Sequence, residues 1–155
     1  LGKALPEISD QVQPTRLQMI SSAPETKIKM QYAVYVRQGW DYWQQLPDGR
    51  IAIGGGRDLA LEQEATDVVK PTQIMRDYLE RKLQDLGVTA PIEHHWAAIV
   101  SYTNTGLPIV KEVQPGVWAV GAYCGTGNVV GALLARSAVD HCIDGHSQVI
   151  TDFAS

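Results

Sequence analysis

GVWAVGAYCGTGNVVGALLARSAVDHCIDG, running from Gly116 to Gly145, is the stretch that decides how this chain folds. Val117, Trp118, Ala119 and Val120 form an apolar run short enough to be a strand. Gly121, Gly125 and Gly127 then let the backbone turn sharply and come close to something bulky. From Val129 to Cys142 only Arg136 and Asp140 carry charge, and Gly131, Ala132, Ala135 and Ala138 offer small packing faces. A helix apolar on most sides is expected to be buried on most sides. Its N-terminus, where unpaired N–H groups and the positive dipole end collect, points back into the glycine turn. Such a strand, turn and helix suit an electron-rich ligand group. The same unit is also common in plain α/β packing, and spacing alone leaves both readings open.

Outside this stretch, composition bounds the answer. The chain has 155 residues, 45% of them hydrophobic, enough for a proper core in one domain or two small ones. A formal charge of −4 without any basic run makes nucleic acid and anionic membranes poor partners. No apolar stretch reaches the roughly 18 residues that span a bilayer. The N-terminal LGKALPEISDQVQPTRLQ lacks the basic, apolar, small-residue order of a signal peptide. Cys124 and Cys142 set no disulfide framework, so the cytoplasm is the expected compartment. Leu1 in place of Met suggests a piece of a longer chain.

The remaining pattern is α+β. Val12 to Ser22 reads as a strand, as do Tyr32 to Val36 and Asp41 to Leu46. Pro47-Asp48-Gly49 turns the last of these into Arg50 to Ile53, a predicted hairpin that runs on into Gly54-Gly55-Gly56. A helix is predicted from Pro71 to Leu86, with Gly87 as its cap and Ile74, Met75, Tyr78, Leu79, Leu83 and Leu86 on one apolar face. Strand returns over Pro91 to Thr103 and again over Leu107 to Lys111. This order predicts a largely antiparallel mixed sheet with helices on one side, followed by the strand, glycine turn and helix. The expected division is 1–103, 104–145 and a frayed tail over 146–155.

Several residue groups invite functional readings that compete with simpler ones. His94, His95, His141, His146, Cys124 and Cys142 could be sorted into a metal site. Adjacent His94 and His95 on a strand face opposite ways, however, and no Cys-x-x-Cys or His-x-x-x-His pair exists, so no metal is expected. Gly54-Gly55-Gly56 could approach a ligand, but a bulge or turn after the hairpin strand is the expected reading, and no Gly-Lys-Ser/Thr makes it a P-loop. Trp40 and Tyr42 share one strand face and Trp43 takes the other, so only part of this aromatic cluster can line a site. Arg37 beside Gly39 reads as a solvated strand end or as a clamp, and Cys124 as an inert small residue or a tether.

Taken in order, DGRIAIGGGRD (48–58), HHWAAIVSYTNTGLPIV (94–110) and the 116–145 stretch resemble the FAD-dependent amine and amino-acid oxidoreductases. Glycine oxidase and sarcosine oxidase belong to that group. The resemblance runs from about Pro14 to Gly145 and covers the C-terminal half of such an enzyme. It implies a substrate domain whose sheet covers the flavin ring, with Tyr35, Arg37, Tyr42, Trp43 and Trp96 toward the substrate. It also implies that Gly121, Tyr123, Gly125, Thr126, Gly127, Asn128 and Val129 lie toward FAD. Their backbone N–H groups would stabilise negative charge on the flavin pyrimidine edge. The implied chemistry is hydride removal from a C–H next to nitrogen in a small amine or amino acid.

The chain departs from the family pattern at several of these places. Thr126 stands for the usual His, Ala98 for Gly, Thr105 for Asp and Val110 for Gly. The carboxylate-clamping Arg of glycine-oxidase-like members falls near Val100, so any such fork must come from Arg37 or Arg57. The G-x-G-x-x-G turn that holds the FAD pyrophosphate has no counterpart within residues 1–155. Two classes follow. The chain is the substrate-facing part of a flavin oxidoreductase, inactive without its N-terminal FAD-binding domain. Alternatively, it is a non-catalytic interaction module of that fold. Either way, a helix over Val129 to Cys142 deprived of its cover is expected to mediate a homodimer or to aggregate.

Overall fold

The computed structural model describes residues 4–154. Strands and helices follow in the order β1 (Gln13–Pro24), β2 (Val34–Val36), β3 (Asp41–Gln45), β4 (Arg50–Gly55), α1 (Leu61–Glu64), α2 (Gln73–Asp85) and β5 (Ile92–Tyr102). Then come β6 (Ile109–Gln114), β7 (Val117–Gly121), a π-turn (Gly127–Gly131), α3 (Ala132–Asp144) and α4 (Gln148–Ala154). The chain divides into two units: Arg16–Ile99, and the residues up to Thr15 together with those from Val100 onward.

The Arg16–Ile99 unit is built on a five-stranded sheet of order β2-β3-β4-β1-β5. The β1–β4, β2–β3 and β3–β4 pairs are antiparallel. The β3–β4 hairpin closes as its Asp-Gly signature predicts. Gly49 adopts φ +90°, and the Asp48 carboxylate accepts the Arg50 N–H at 3.1 Å. Period-two alternation then sorts the strands' side chains into two faces. Ile20, Ile51 and Ile53 meet Leu79 and Leu83 of α2, and each such buried side chain contributes about 1.5–3 kcal/mol. α2 ends in the Schellman pattern that Gly87 allows: the Gly87 N–H bonds Gln84 O at 2.8 Å and the Val88 N–H bonds Leu83 O at 2.9 Å.

Two polar anchors hold this unit where apolar packing does not reach. Arg16 donates to both carboxylate oxygens of Glu64 at 2.9 Å, and Gln18 bridges Glu64 to Thr72 at the start of α2. Glu64 is buried, and it is this bidentate pairing that makes its charge tolerable. Glu25 accepts backbone N–H groups from Lys27, Thr89 and Ala90, tying the end of β1 to the approach to β5.

In the other unit β6 and β7 form an antiparallel hairpin. Ile109, Ala119 and Ala122 pack with Ile8 and Val12 on one side, and Val110 packs with Leu134 and Ile150 on the other. Two expectations change here. The segment 146–155 is not frayed over its described length: α4 forms, and Ile150 inserts into the core. Nor is α3 buried on most sides. A two-stranded hairpin and one short helix cover a single stripe, so Leu134 is fully buried while Leu133, Val139 and Ile143 are exposed. Among the described residues no helix is long and apolar enough to cross a membrane.

Candidate active site

The face of the five-stranded sheet opposite α2 is open. Register places Met19, Gly54, Tyr42 and Tyr35 in one row across β1, β4, β3 and β2, with Ser21, Ala52 and Gln44 in the next. Gly54 has no side chain, and a Cβ there would stand 2.7 Å from both Met19 and the Tyr42 ring. Met19 and Tyr42 therefore close over the glycine and make one continuous apolar floor. The Tyr35 ring stacks beside that of Tyr42, 6.0 Å between centroids and 26° between planes, leaving Tyr35 73% exposed as a wall. Together they border a cavity of about 330 Å³. A larger hollow of about 790 Å³ shares Met19, Gln44 and Ala52 and adds Arg50, Glu93 and Trp96.

Arg37 lies at the corner after β2, and its guanidinium is committed to the protein. It donates to Asp41 at 3.1 Å and to the Tyr78 hydroxyl at 2.7 Å, and it pairs with Asp58. The bond to Asp41 raises its pKa further. Arg37, Gln38 and Gly39 have φ values of +52°, +56° and +92°, a left-handed run that only surrounding contacts can hold. Tyr35 rests on this corner so closely that a Cβ at Gly39 would come 2.4 Å from its hydroxyl. Gly39 is thus the residue that seats Tyr35, and Arg37 ties the same corner to Asp41, Asp58 and Tyr78. Arg57 lies 4.7 Å from the Trp40 ring centroid, in cation–π contact. The remaining glycines of the triplet serve packing: Cβ atoms at Gly55 and Gly56 would collide with Trp40 O and the Tyr78 ring.

The second candidate surface is the turn between β7 and α3. Ala122 and Cys124 take left-handed conformations, and Gly125 has φ +90°. Cys124 pins the turn to the end of β5: its N–H donates to Ser101 O at 3.3 Å, and its sulfur accepts the Thr103 N–H at 3.4 Å. The Thr126 hydroxyl donates to Tyr123 O at 2.6 Å and does not cap the helix that follows. The π-turn therefore begins without a side-chain cap, and the first amides of a helix have no acceptor within it. No Asp or Glu occurs between Gly116 and Ala135 to oppose an electron-rich group.

The residues singled out in the sequence separate by surface. Tyr35 and Tyr42 come together on the open face, with Trp96 at the adjoining hollow. Trp43 pairs with Ile53 and packs against the helix-side core, and it also borders the smaller cavity with Tyr35 and Tyr42. At the turn, Gly125, Thr126, Asn128 and Val129 are exposed together. Gly121 is buried at the end of β7, and the Tyr123 ring packs beneath Gly127 and Gly131, 3.3 and 3.2 Å from where their Cβ atoms would be. Met19 and Ala52 are not among the residues singled out in the sequence, and Gly54, expected in a bulge or turn, lies within β4 opposite Tyr42. Alternation along β1 and β4 against Ile20, Ile51 and Ile53 is the signal that finds them.

A model of the family described as FAD dependent oxidoreductase matches residues 1–141. The chain belongs to the FAD-dependent oxidoreductase family. Among curated proteins it is similar to the probable oxidoreductase OrdL of Rhizobium meliloti (strain 1021), 32% identical over 104 residues, covering 63% of this chain and 23% of that one. Among solved structures it is similar in fold to L-proline dehydrogenase from P. horikoshii, with TM-score 0.69, 15% identity and 88% of this chain covered. Glycine oxidase from Geobacillus kaustophilus is similar with TM-score 0.70, 17% identity and 89% covered. The chain spans 37% of either structure and about a quarter of the curated relative. The α+β architecture of the FAD-dependent oxidoreductases is therefore present over only part of a family-length protein.

Proposed function

We propose that this chain is the substrate-facing and C-terminal portion of a FAD-dependent oxidoreductase that oxidises a C–N bond of a small amine or amino acid. The open face of the Arg16–Ile99 sheet carries this reading, because it offers an aromatic wall and apolar floor with no other element of that unit laid on it. In the complete enzyme Tyr35, Tyr42 and Trp96 would orient the substrate and exclude water. FAD, when bound, supplies the hydride-accepting ring. The uncapped helix start fits such a group: the amides after Thr126 are donors, Gly125 leaves the turn open, and no carboxylate intrudes. Gly125, Thr126, Gly127 and Asn128 would hold the flavin's pyrimidine edge through their backbone.

No G-x-G-x-x-G turn lies within these residues, so flavin retention and catalysis would require the partner N-terminal FAD-binding domain. Flavin titration tests this. The chain alone should bind FAD weakly or not at all, and amine-dependent flavin bleaching should appear once that domain is supplied. A yellow, amine-reducible complex of the chain alone would overturn the claim of incompleteness. The two unpaired cysteines, Cys124 and Cys142, support a cytoplasmic setting.

The exposed side of α3 favours a second reading, an interaction module. Val129, Leu133, Val139 and Ile143 are all more than half exposed, and apolar side chains gathered along one helix side mark an interaction surface. A homodimer through Val129–Cys142 would hide them. Sedimentation giving a monomer at all concentrations would count against it.

A further inference from the structure

We propose that the open face selects amines that carry an apolar or aromatic substituent and no α-carboxylate; this rests on reading that face as the substrate side. The floor offers Met19, Ala52 and the Tyr42 ring, and its wall is the Tyr35 ring. A carboxylate moved onto such a surface loses its water and needs a guanidinium fork in return. Arg50 is the arginine in the lining of these hollows and its guanidinium is already engaged, whereas Arg37 and Arg57 line neither of them. Arg37 serves Asp41, Asp58 and Tyr78, and Asp41 is only 1% exposed, so withdrawing Arg37 would strip a buried charge of a partner. Arg50 donates to Asp48 at 3.0 Å and pairs with Glu93, so its charge is also matched.

An ammonium group meets the opposite situation. The faces of Tyr35 and Tyr42 attract cations without any fixed counter-charge, while Glu93 at the adjoining hollow is already paired with Arg50. An aromatic or alkyl tail is accepted by the Met19–Gly54–Tyr42 floor, where the flexible thioether adapts to its shape. The commitment of Arg50, with Arg37 and Arg57 outside the lining, thus turns a site of amino-acid-oxidase type toward simple amines.

The test compares 2-phenylethylamine with phenylalanine, which differ only in the carboxylate, by ligand-observed NMR on the whole chain at neutral pH. The amine should bind at least about tenfold more tightly, a difference of about 1.4 kcal/mol. Tyr35→Ala, at an exposed position that leaves the core intact, should abolish most of the amine signal. Phenylalanine binding equally or better overturns the proposal, above all if Arg50→Gln removes that binding. An amine signal unchanged in Tyr35→Ala overturns it as well, since the ligand is then elsewhere. Absence of binding by either compound likewise overturns it. None of these results decides the flavoprotein reading, whose failure would appear in the FAD titration.

Discussion

The Tyr78 hydroxyl on α2 donates to Asp41 at the start of β3, 2.8 Å from one carboxylate oxygen and 2.9 Å from the other. Burial, reinforced by this bond, pushes the phenol up to about 12. A raised acid pKa means that folding favours the protonated form. The stabilisation is complete below the ordinary value of 10.0 and is lost as pH rises through about 12. Tyr78→Phe should remove a tyrosine that titrates at about 12 from a spectrophotometric titration and lower stability by about 1.5–3 kcal/mol, the range for a bond to a charged acceptor.

Glu25 shows the opposite sign. The N–H groups of Lys27 and then Thr89 hold its pKa down at about 2, below the ordinary 4.5. Its contribution is therefore present above about 4.5 and fades as pH falls toward 2. Denaturation midpoints measured across that window should fall for the native chain and stay flatter for Glu25→Gln. Parallel curves would show that the anchor does not depend on the charge.

Gly56 and Gly106 separate backbone strain from collision. Both have left-handed φ, +76° and +73°, but a Cβ at 56 would strike the Tyr78 ring at 2.4 Å while 106 faces open space. Gly106→Ala should cost about 1–2 kcal/mol. Gly56→Ala should cost about 2–4 kcal/mol, because overpacking adds to strain. Equal losses in urea denaturation would remove the contact from the account.

Leu133 and Leu134 are neighbours with opposite surroundings, 52% and 0% exposed. Leu134→Ala should destabilise by about 2–5 kcal/mol. Leu133→Lys should leave stability within about 0.5 kcal/mol of the native chain and reduce self-association measured by light scattering. Self-association unchanged by that substitution would place the contact on another surface.

Much of this is legible in the sequence wherever one local rule suffices. Asp48-Gly49 marked the hairpin, Gly87 marked the end of α2, and the three ordered motifs marked the family. Other features needed partners distant in sequence. Arg37 could be a clamp until Asp41, Asp58 and Tyr78 were seen to occupy it. The burial of α3 was overestimated because apolar composition gives the capacity for burial, whereas the cover has to be supplied by other elements. The fate of residues 148–154 turned on one side chain, Ile150, finding Val110 and Leu134.

The wide turn at Gly127–Gly131 sets a phase as well as a boundary. Each residue advances a helix by about 100°, so one residue more or fewer there would rotate every later side chain by that angle. Leu134 would swing off the hairpin. Loop length between β7 and α3 is therefore as tightly constrained as any side chain, and a one-residue deletion in this segment should be worse tolerated than most substitutions within it.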